Sequence, residues 1–362
     1  MGNIIYLDNA ATSKVDPEVL DSYNQITLKY FANASSIHAL GQESSRLLDK
    51  SRELVLQTLK LSHHEVIFTS GATEANNLAI KGYCFANRSR GNHIITSISE
   101  HPSVLKTVLD LKDFGFEVTV LPVNEKGVIE VNDLKAALTD KTILVSLMAV
   151  NNEVGAINPI KEVGLLLKNY PKIAFHVDMF SIAGHKIHGL LGAGLLVKEK
   201  KIILKAINQG GGQESGLRSG TNTLALSASL AKAIRLITSK QSESYKHVKV
   251  LHDRLMSYLK ENTDKFHINS YFDDNPYIVN FSLYHHKASV LVEALSNRGI
   301  MVSSLSACHS KKENYSDVVF AMTNDMNLAH NTVRVSFDKD NTLEEVETLI
   351  INLEQILKEI KQ

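Results

Sequence analysis

Apolar positions along the chain follow two alternating periods. Short runs predict strands at Ile4 to Leu7, Glu65 to Thr69, His93 to Thr96, Glu117 to Leu121, Thr142 to Val150 and Ile173 to Val177. Between them come stretches of helical spacing: one opened by Pro17, then Ser44 to Leu61 with Leu47, Leu48, Leu54, Val55 and Leu59 on one face, Asn77 to Ala86, Val104 to Leu111, and Ile160 to Asn169. Thr142 to Val150 is almost continuously apolar, as a strand covered on both faces of a parallel sheet requires. This regular alternation predicts an α/β sandwich around a mostly parallel sheet. Further along, Val248 to Leu259 and Lys287 to Ser296 read as helices around a strand at Ile278 to Ser282. Asn341-Thr342 then caps a long amphipathic helix bearing Val346, Leu349, Ile350, Leu353 and Ile360.

In an open parallel sheet, ligands bind at the carboxyl ends of the strands. Thr73, His101, Asn152, Asp178 and Lys186 all follow such ends. The turn Ser70-Gly71-Ala72-Thr73 opens a helix whose first N–H groups suit a phosphate, although a Gly-x-Thr start serves equally as plain capping. Ser181 to Gly189, SIAGHKIHG, delivers Lys186 from a strand end. A lysine held among fixed partners loses its proton and forms a Schiff base with an aldehyde; otherwise it is a solvated turn residue. His101 and Asp178 taken singly have ordinary readings as a helix cap and a loop carboxylate. Taken together, a phosphate cup, a ring to stack, a carboxylate and a lysine are the parts that a phosphorylated pyridine aldehyde needs.

Composition narrows the classes. Thirty-nine basic residues balance thirty-nine acidic ones, so no global field points to nucleic acid or a membrane surface. The two cysteines, Cys84 and Cys308, exclude a disulfide framework and fit a reducing compartment, so a cytoplasmic setting is expected. MGNIIYLDNAATS shows neither a secretory signal nor a membrane span.

The ordered segments FTSGATEANNLAIKG, ITSISEHPSV, VNNEVG, FHVD, GHKIHG, GGGQESGLRSGTNT and SSLSAC closely resemble the cysteine desulfurases, pyridoxal-phosphate enzymes of the class V aminotransferase group, from Ile5 to the C-terminal helix. The resemblance implies a fold type I homodimer. Its large cofactor domain, a three-layer sandwich, would span residues 13–245; residues 1–12 and 246–362 would form a smaller α/β domain carrying the cysteine loop. It implies conversion of L-cysteine to L-alanine with the sulfur held as a persulfide. By matching motif, Lys186 resembles the Schiff-base lysine, and Cys308 the sulfur acceptor and a transient iron–sulfur ligand. His101 would stack on the ring and move protons, and Asp178 would pair with the pyridine nitrogen. Ala72, Thr73 and His185 would hold the phosphate, with Thr221 reaching across from the other subunit, and Ser181 would be a further cofactor-binding residue. Asn152 would lie near the cofactor hydroxyl and, with Asn33, near the substrate. Arg334 would clamp the substrate carboxylate with its fork, its alternative being a surface ion pair. The polar stretch 309–316, HSKKENYS, resembles the long-loop branch, which passes sulfur to an acceptor or iron–sulfur scaffold protein for cluster assembly or tRNA thiolation.

Departures from the family pattern cluster in one place. There the carboxylate motif continues Ala-x-Gln, with a helix and a strand before the lysine; here His176-Val177-Asp178 runs directly into Met179-Phe180-Ser181. Asp178 and Lys186 stand so close in sequence that a parallel crossover of about a dozen residues cannot fit between them. This predicts the loss of a central strand or its helix. Reach is not the obstacle, because eight extended residues span about 28 Å. Ala183 replaces a serine, Leu190 and Leu191 replace a proline and a lysine, and Asp338 replaces a glycine. Beside a working desulfurase stand two other readings: a degenerate homologue of little or no activity, and another class V enzyme such as a selenocysteine lyase. Cys308 in its SSLSAC setting disfavours the last.

Overall fold

A computed structural model of the chain describes residues 4–177, 179–304 and 315–359. Asp178 and Cys308 lie outside these, so the roles expected of them rest on sequence.

The first strand is β1 (Ile5–Tyr6), followed by α1 (Pro17–Lys29) and α2 (Ala39–Thr58). Helix α1 starts at a proline behind Asp16, whose carboxylate accepts the Glu18 N–H at 2.8 Å. Helix α2 begins well before the expected Ser44, because the His38 ring caps it by accepting from the Gly41 N–H at 3.2 Å. Its first turn is polar, so apolar spacing could not reveal it.

Next come β2 (His64–Thr69), α3 (Ala72–Ala86), β3 (His93–Ser97), α4 (Pro102–Asp110), β4 (Glu117–Leu121), α5 (Val131–Ala137), β5 (Thr142–Val145), α6 (Ile160–Leu167) and β6 (Ala174–Phe175). A parallel sheet of order β4-β3-β5-β6 forms from these. The strand expected over Thr142 to Val150 stops at Val145. The Met148 N–H donates instead to the Glu100 carboxylate at 2.7 Å, which draws the backbone off the ladder.

The strands β7 (Met179–Ala183) and β8 (Gly194–Glu199) form a second sheet of order β2-β8-β7, in which β8 runs antiparallel to both neighbours. The elements on both sides of Asp178 therefore exist. No ladder joins β6 to β7 among the described residues, so what would be one wide sheet is divided in two. The shortened connection removes the crossover and spares both strands.

The long helix α7 (Leu224–Glu261) follows. Its first half packs Leu230, Ala231 and Ile234 against β2 and β8, and its second half is the helix expected from Val248. The remaining elements are β9 (Phe266–Ile268), β10 (Ile278–Leu283), α8 (Ala288–Asn297), β11 (Ile300–Met301), β12 (Ser303–Ser304), α9 (Asp317–Thr323), α10 (Met326–His330), β13 (Thr332–Ser336) and α11 (Leu343–Glu359). Strands β12-β13-β10-β9 form an antiparallel sheet, while β1 pairs with β11. Leu7 is buried in one core with Phe281, Leu291 and Leu349, so the N-terminus is packed with the C-terminal elements. No helix among the described residues is long and apolar enough to cross a membrane.

Candidate active site

The register of the three-stranded sheet sets the first part of the site. Thr69 at the end of β2 and Ala183 at the end of β7 both lie opposite Gly194. The two chain ends are thus two strand spacings apart, roughly 10 Å. One continues into α3 with Thr73 in its first turn; the other enters the tight turn Gly184–Lys186. Glycine is required at position 194 because a Cβ there would collide with the Gly71 backbone.

Gly71, the N-cap of α3, supplies no side-chain cap, and the first-turn N–H groups of a helix have no partners within it. Glu74 accepts the Ser70 N–H and hydroxyl, both at 2.7 Å, and Arg218 Nε at 2.8 Å. Burial works against its charge, but the bonds from Arg218 and Ser70 prevail and hold the carboxyl below its ordinary range. Arg218 thereby fastens the loop that carries Thr221, which is itself exposed, to the helix start.

The lysine turn is held by the N-terminal segment. The His185 carbonyl accepts the Ser13 N–H at 2.7 Å and the Ser13 hydroxyl at 3.0 Å. The His188 N–H donates to Ser13 Oγ at 2.8 Å, and its ring bonds the Lys14 carbonyl at 2.9 Å and Asp338 Oδ1 at 3.0 Å. With φ at 61°, His188 occupies the left-handed region, a strain its three tethers hold in place. Asp338, a departure from the family glycine, is therefore the partner of His188. Burial, then the nearby Lys186 charge, lowers the His185 pKa and favours its neutral ring. Ser181 lies inside β7 opposite Leu196, short of the strand end.

The His188–Asp338 pair carries a pH signature. The Asp338 bond raises the His188 pKa above 6.5; for Asp338, burial is outweighed by the His188 bond, which lowers its pKa below 3.8. The histidine contribution is complete below 6.5 and is lost as pH climbs through the raised value; the aspartate contribution is lost as pH falls through the lowered one. Asp338→Asn should therefore lower Tm most between these limits and progressively less in more alkaline buffer. A Tm difference that is flat with pH would reject the pair.

The second sheet supplies the other groups. His101 caps α4, its Nδ1 accepting the Ser103 N–H at 3.1 Å beside the Ser103 hydroxyl at 2.8 Å. That hydroxyl in turn accepts from Asn76 of α3 at 2.8 Å, so His101 is tied to the helix that presents Thr73. Sequence reasoning missed its neighbour Glu100. Its carboxyl accepts Met148 N–H at 2.7 Å and the Ser97 hydroxyl at 3.1 Å, and burial pushes it up to about 7. Together with the bond from Asn151 Nδ2 to the Ser99 carbonyl, 2.9 Å, it clasps the loops after β3 and β5. His176 bonds Ser146 at 2.8 Å, and burial lowers its ring pKa to about 4.

Arg334 projects from β13 into this loop. Its Nη1 donates to the Asn152 carbonyl and its Nη2 to Asp8 Oδ1, both at 2.9 Å. The side chain is 5% exposed, which excludes the surface ion-pair alternative, and Nε has no partner. A buried N–H without an acceptor is costly, and an incoming carboxylate would satisfy it. Asp8, also missed, opens the loop that ends in Ser13, so one short segment links Arg334 to the lysine turn. Asn33 stands on an exposed loop ahead of α2. Hydrogen bonds thus tie His101 through Ser103 to Asn76 of the helix that presents Thr73, and Arg334 to Asn152 and Asp8, while Ser13 holds the neighbours of Lys186.

The class V aminotransferase profile matches residues 5–349. The chain belongs to that family. A NifS/IcsS protein homologue of Lactobacillus delbrueckii subsp. bulgaricus is 41% identical over 374 aligned residues, covering 98% of this chain and 97% of the other. A protein of Clostridium botulinum named cysteine desulfurase IscS is 34% identical over 383 residues, covering 100% and 96%. The 362 residues of this chain meet those 383 aligned positions only with gaps, in keeping with a shortened segment. Among solved structures, a NifS-like protein superposes with a TM-score of 0.90 at 32% identity, over 98% of this chain and 100% of that one. Like other class V enzymes of this kind, the chain is pyridoxal-phosphate dependent. Its residues fit the cofactor. The α3 N-terminus would receive the phosphate, with open space beside Gly71, and Lys186 would supply its amine from a fixed turn.

Proposed function

We propose that this class V enzyme is a cysteine desulfurase that takes L-cysteine to L-alanine and keeps the sulfur as a persulfide on Cys308. The observation that carries the reading is Arg334: a buried guanidinium held by Asn152 and Asp8 with one N–H unsatisfied, beside the strand ends that present His101 and Lys186. Bound pyridoxal phosphate supplies the electron sink that lets bonds at the substrate carbons break. Arg334 fixes the substrate carboxylate. Lys186 and His101 move protons at the carbon centres, and a His101 ring with Nδ1 accepting from Ser103 carries its neutral-form proton on Nε2. The substrate C–S bond breaks as an S–S bond forms to the Cys308 thiolate, and a proton completes the alanine methyl group. In sequence Cys308 is followed by His309, Lys311 and Lys312, whose charge favours a thiolate.

The persulfide sulfur would pass to an acceptor or scaffold protein for iron–sulfur cluster assembly or tRNA thiolation, with Cys308 as a transient cluster ligand. A thiol that must stay reduced supports a cytoplasmic setting. The common core of Leu7 with residues after Val248 supports a division into 13–245 and 1–12 with 246–362. Exposed Leu28, Phe31 and Ile37 support a second copy covering α1 and the loop beyond it, from which Thr221 would enter this site.

Alanine and sulfide release from L-cysteine test the reading. Cys308→Ala should lower both about 100-fold or more. Cys84 is fully buried in α3, where burial pushes its thiol pKa far up, so Cys84→Ala should stay within about twofold. Equal losses, or full activity without Cys308, overturn the assignment.

A further inference from the structure

Between α3 and α6 lies a cleft of about 870 Å³ that the desulfurase chemistry does not use. It is lined by the C-terminal part of α3 and by Glu199, at the end of β8 remote from Gly194, so it opens at the opposite end of the sheet from the lysine turn. It also lies where β6 and β7 fail to pair. Phe175 and Val177 line its floor, the place that the missing crossover leaves uncovered. The groove-facing side of α6 is unpacked: a Cβ added at Gly164 would meet nothing within 4 Å.

Its walls are apolar and its rim is basic. Leu165 and Ile203 stand 54% and 71% exposed at the walls. Arg90, Lys161 and Lys168 line the rim, and the one carboxylate there among the described residues, Glu199, is taken by Lys201 at 2.6 Å. A small-molecule pocket would gather polar groups at its base. Here the base is apolar, and the Tyr83 hydroxyl already donates to the Lys172 carbonyl at 3.5 Å. A cleft with exposed apolar side chains and cationic residues at its edge matches the groove that accepts an amphipathic helix.

We propose that this cleft seats an acidic amphipathic helix of a partner protein, with its apolar side chains between Leu165 and Ile203 and its carboxylates facing Arg90, Lys161 and Lys168. The proposal is independent of the roles given to Lys186 and Cys308.

Two fluorescein-labelled helical peptides of roughly 18 residues test it against the cofactor-loaded full chain. Both carry leucine at every third and fourth position; one bears glutamates elsewhere and the other lysines. By anisotropy, the acidic peptide should bind saturably and about tenfold or more tightly than the basic one, weakening with added salt. Lys161→Glu with Lys168→Glu, and separately Leu165→Asp, should each weaken it about tenfold. Cysteine desulfuration should be unchanged in both variants, which separates this result from any failure of the catalytic reading. Equal binding of the two peptides, absence of saturation, or indifference to both variants overturns the proposal. So does self-association of the chain that Leu165→Asp abolishes, which would make a second copy the occupant.

Discussion

Lys186→Ala should give a folded protein that loses pyridoxal phosphate on dialysis and turns over L-cysteine about 1,000-fold more slowly or worse. The turn that carries Lys186 is held through backbone groups of its neighbours: the His185 carbonyl on Ser13, the Gly184 N–H on the Ala193 carbonyl at 2.8 Å, and His188 on Ser13, Lys14 and Asp338. None of these bonds needs the lysine side chain, which is exposed. Truncation should therefore leave the turn in place while removing both the covalent anchor and a proton carrier. The visible absorption of the dialysed protein, followed by borohydride reduction and peptide mapping of the wild type, reads the anchor directly. A reduced label on another lysine would end the assignment.

Arg334→Ala should act on stability and substrate binding together. Losing the guanidinium leaves the half-buried Asp8 carboxylate and the Asn152 carbonyl without a donor, a cost of about 3–5 kcal/mol for a broken buried pair. Arg334→Lys separates the two effects. Its ammonium still faces Asp8 and should recover much of the lost Tm, but it has no fork for a carboxylate. KM for L-cysteine should rise about 10- to 100-fold in the lysine variant, with a smaller change in kcat. If KM follows Tm in both variants, Arg334 is a structural clamp and not the substrate's anchor.

Several features could be read in the chain because they are local. Alternating strand and helix periods gave the α/β class, since burial of one face repeats every second residue in a strand and every third or fourth in a helix. Thr73, His101 and Lys186 were recognisable because each follows the end of an apolar run. Other features had no local signal. The start of α2 is polar and capped by a histidine, and the middle of α7, from Ser239 to Lys246, lacks an apolar stripe although the helix continues through it. Glu100 reads as a surface acid until Met148 and Ser97 are brought against it.

The outcome of the shortened connection shows where sequence reasoning ends. From the sequence by itself came the missing crossover and the length of chain leading to Lys186, because both depend only on residue count and backbone length. The fold decided what that length spans, since β7 starts at Met179 opposite Lys198, the end of β8 remote from the lysine turn. The tertiary structure decided that both flanking strands survive, that the sheet divides between them, and that an open cleft is left. These depend on which edge each strand finds: β7 satisfies its backbone on β8, and the short β6 satisfies its own on β5. The same holds for the site. His188 and Asp338 are 150 positions apart, and Asp8 and Arg334 are 326 apart. Each pair joins two residue types that are individually unremarkable, and only the tertiary fold brings them within hydrogen-bond reach.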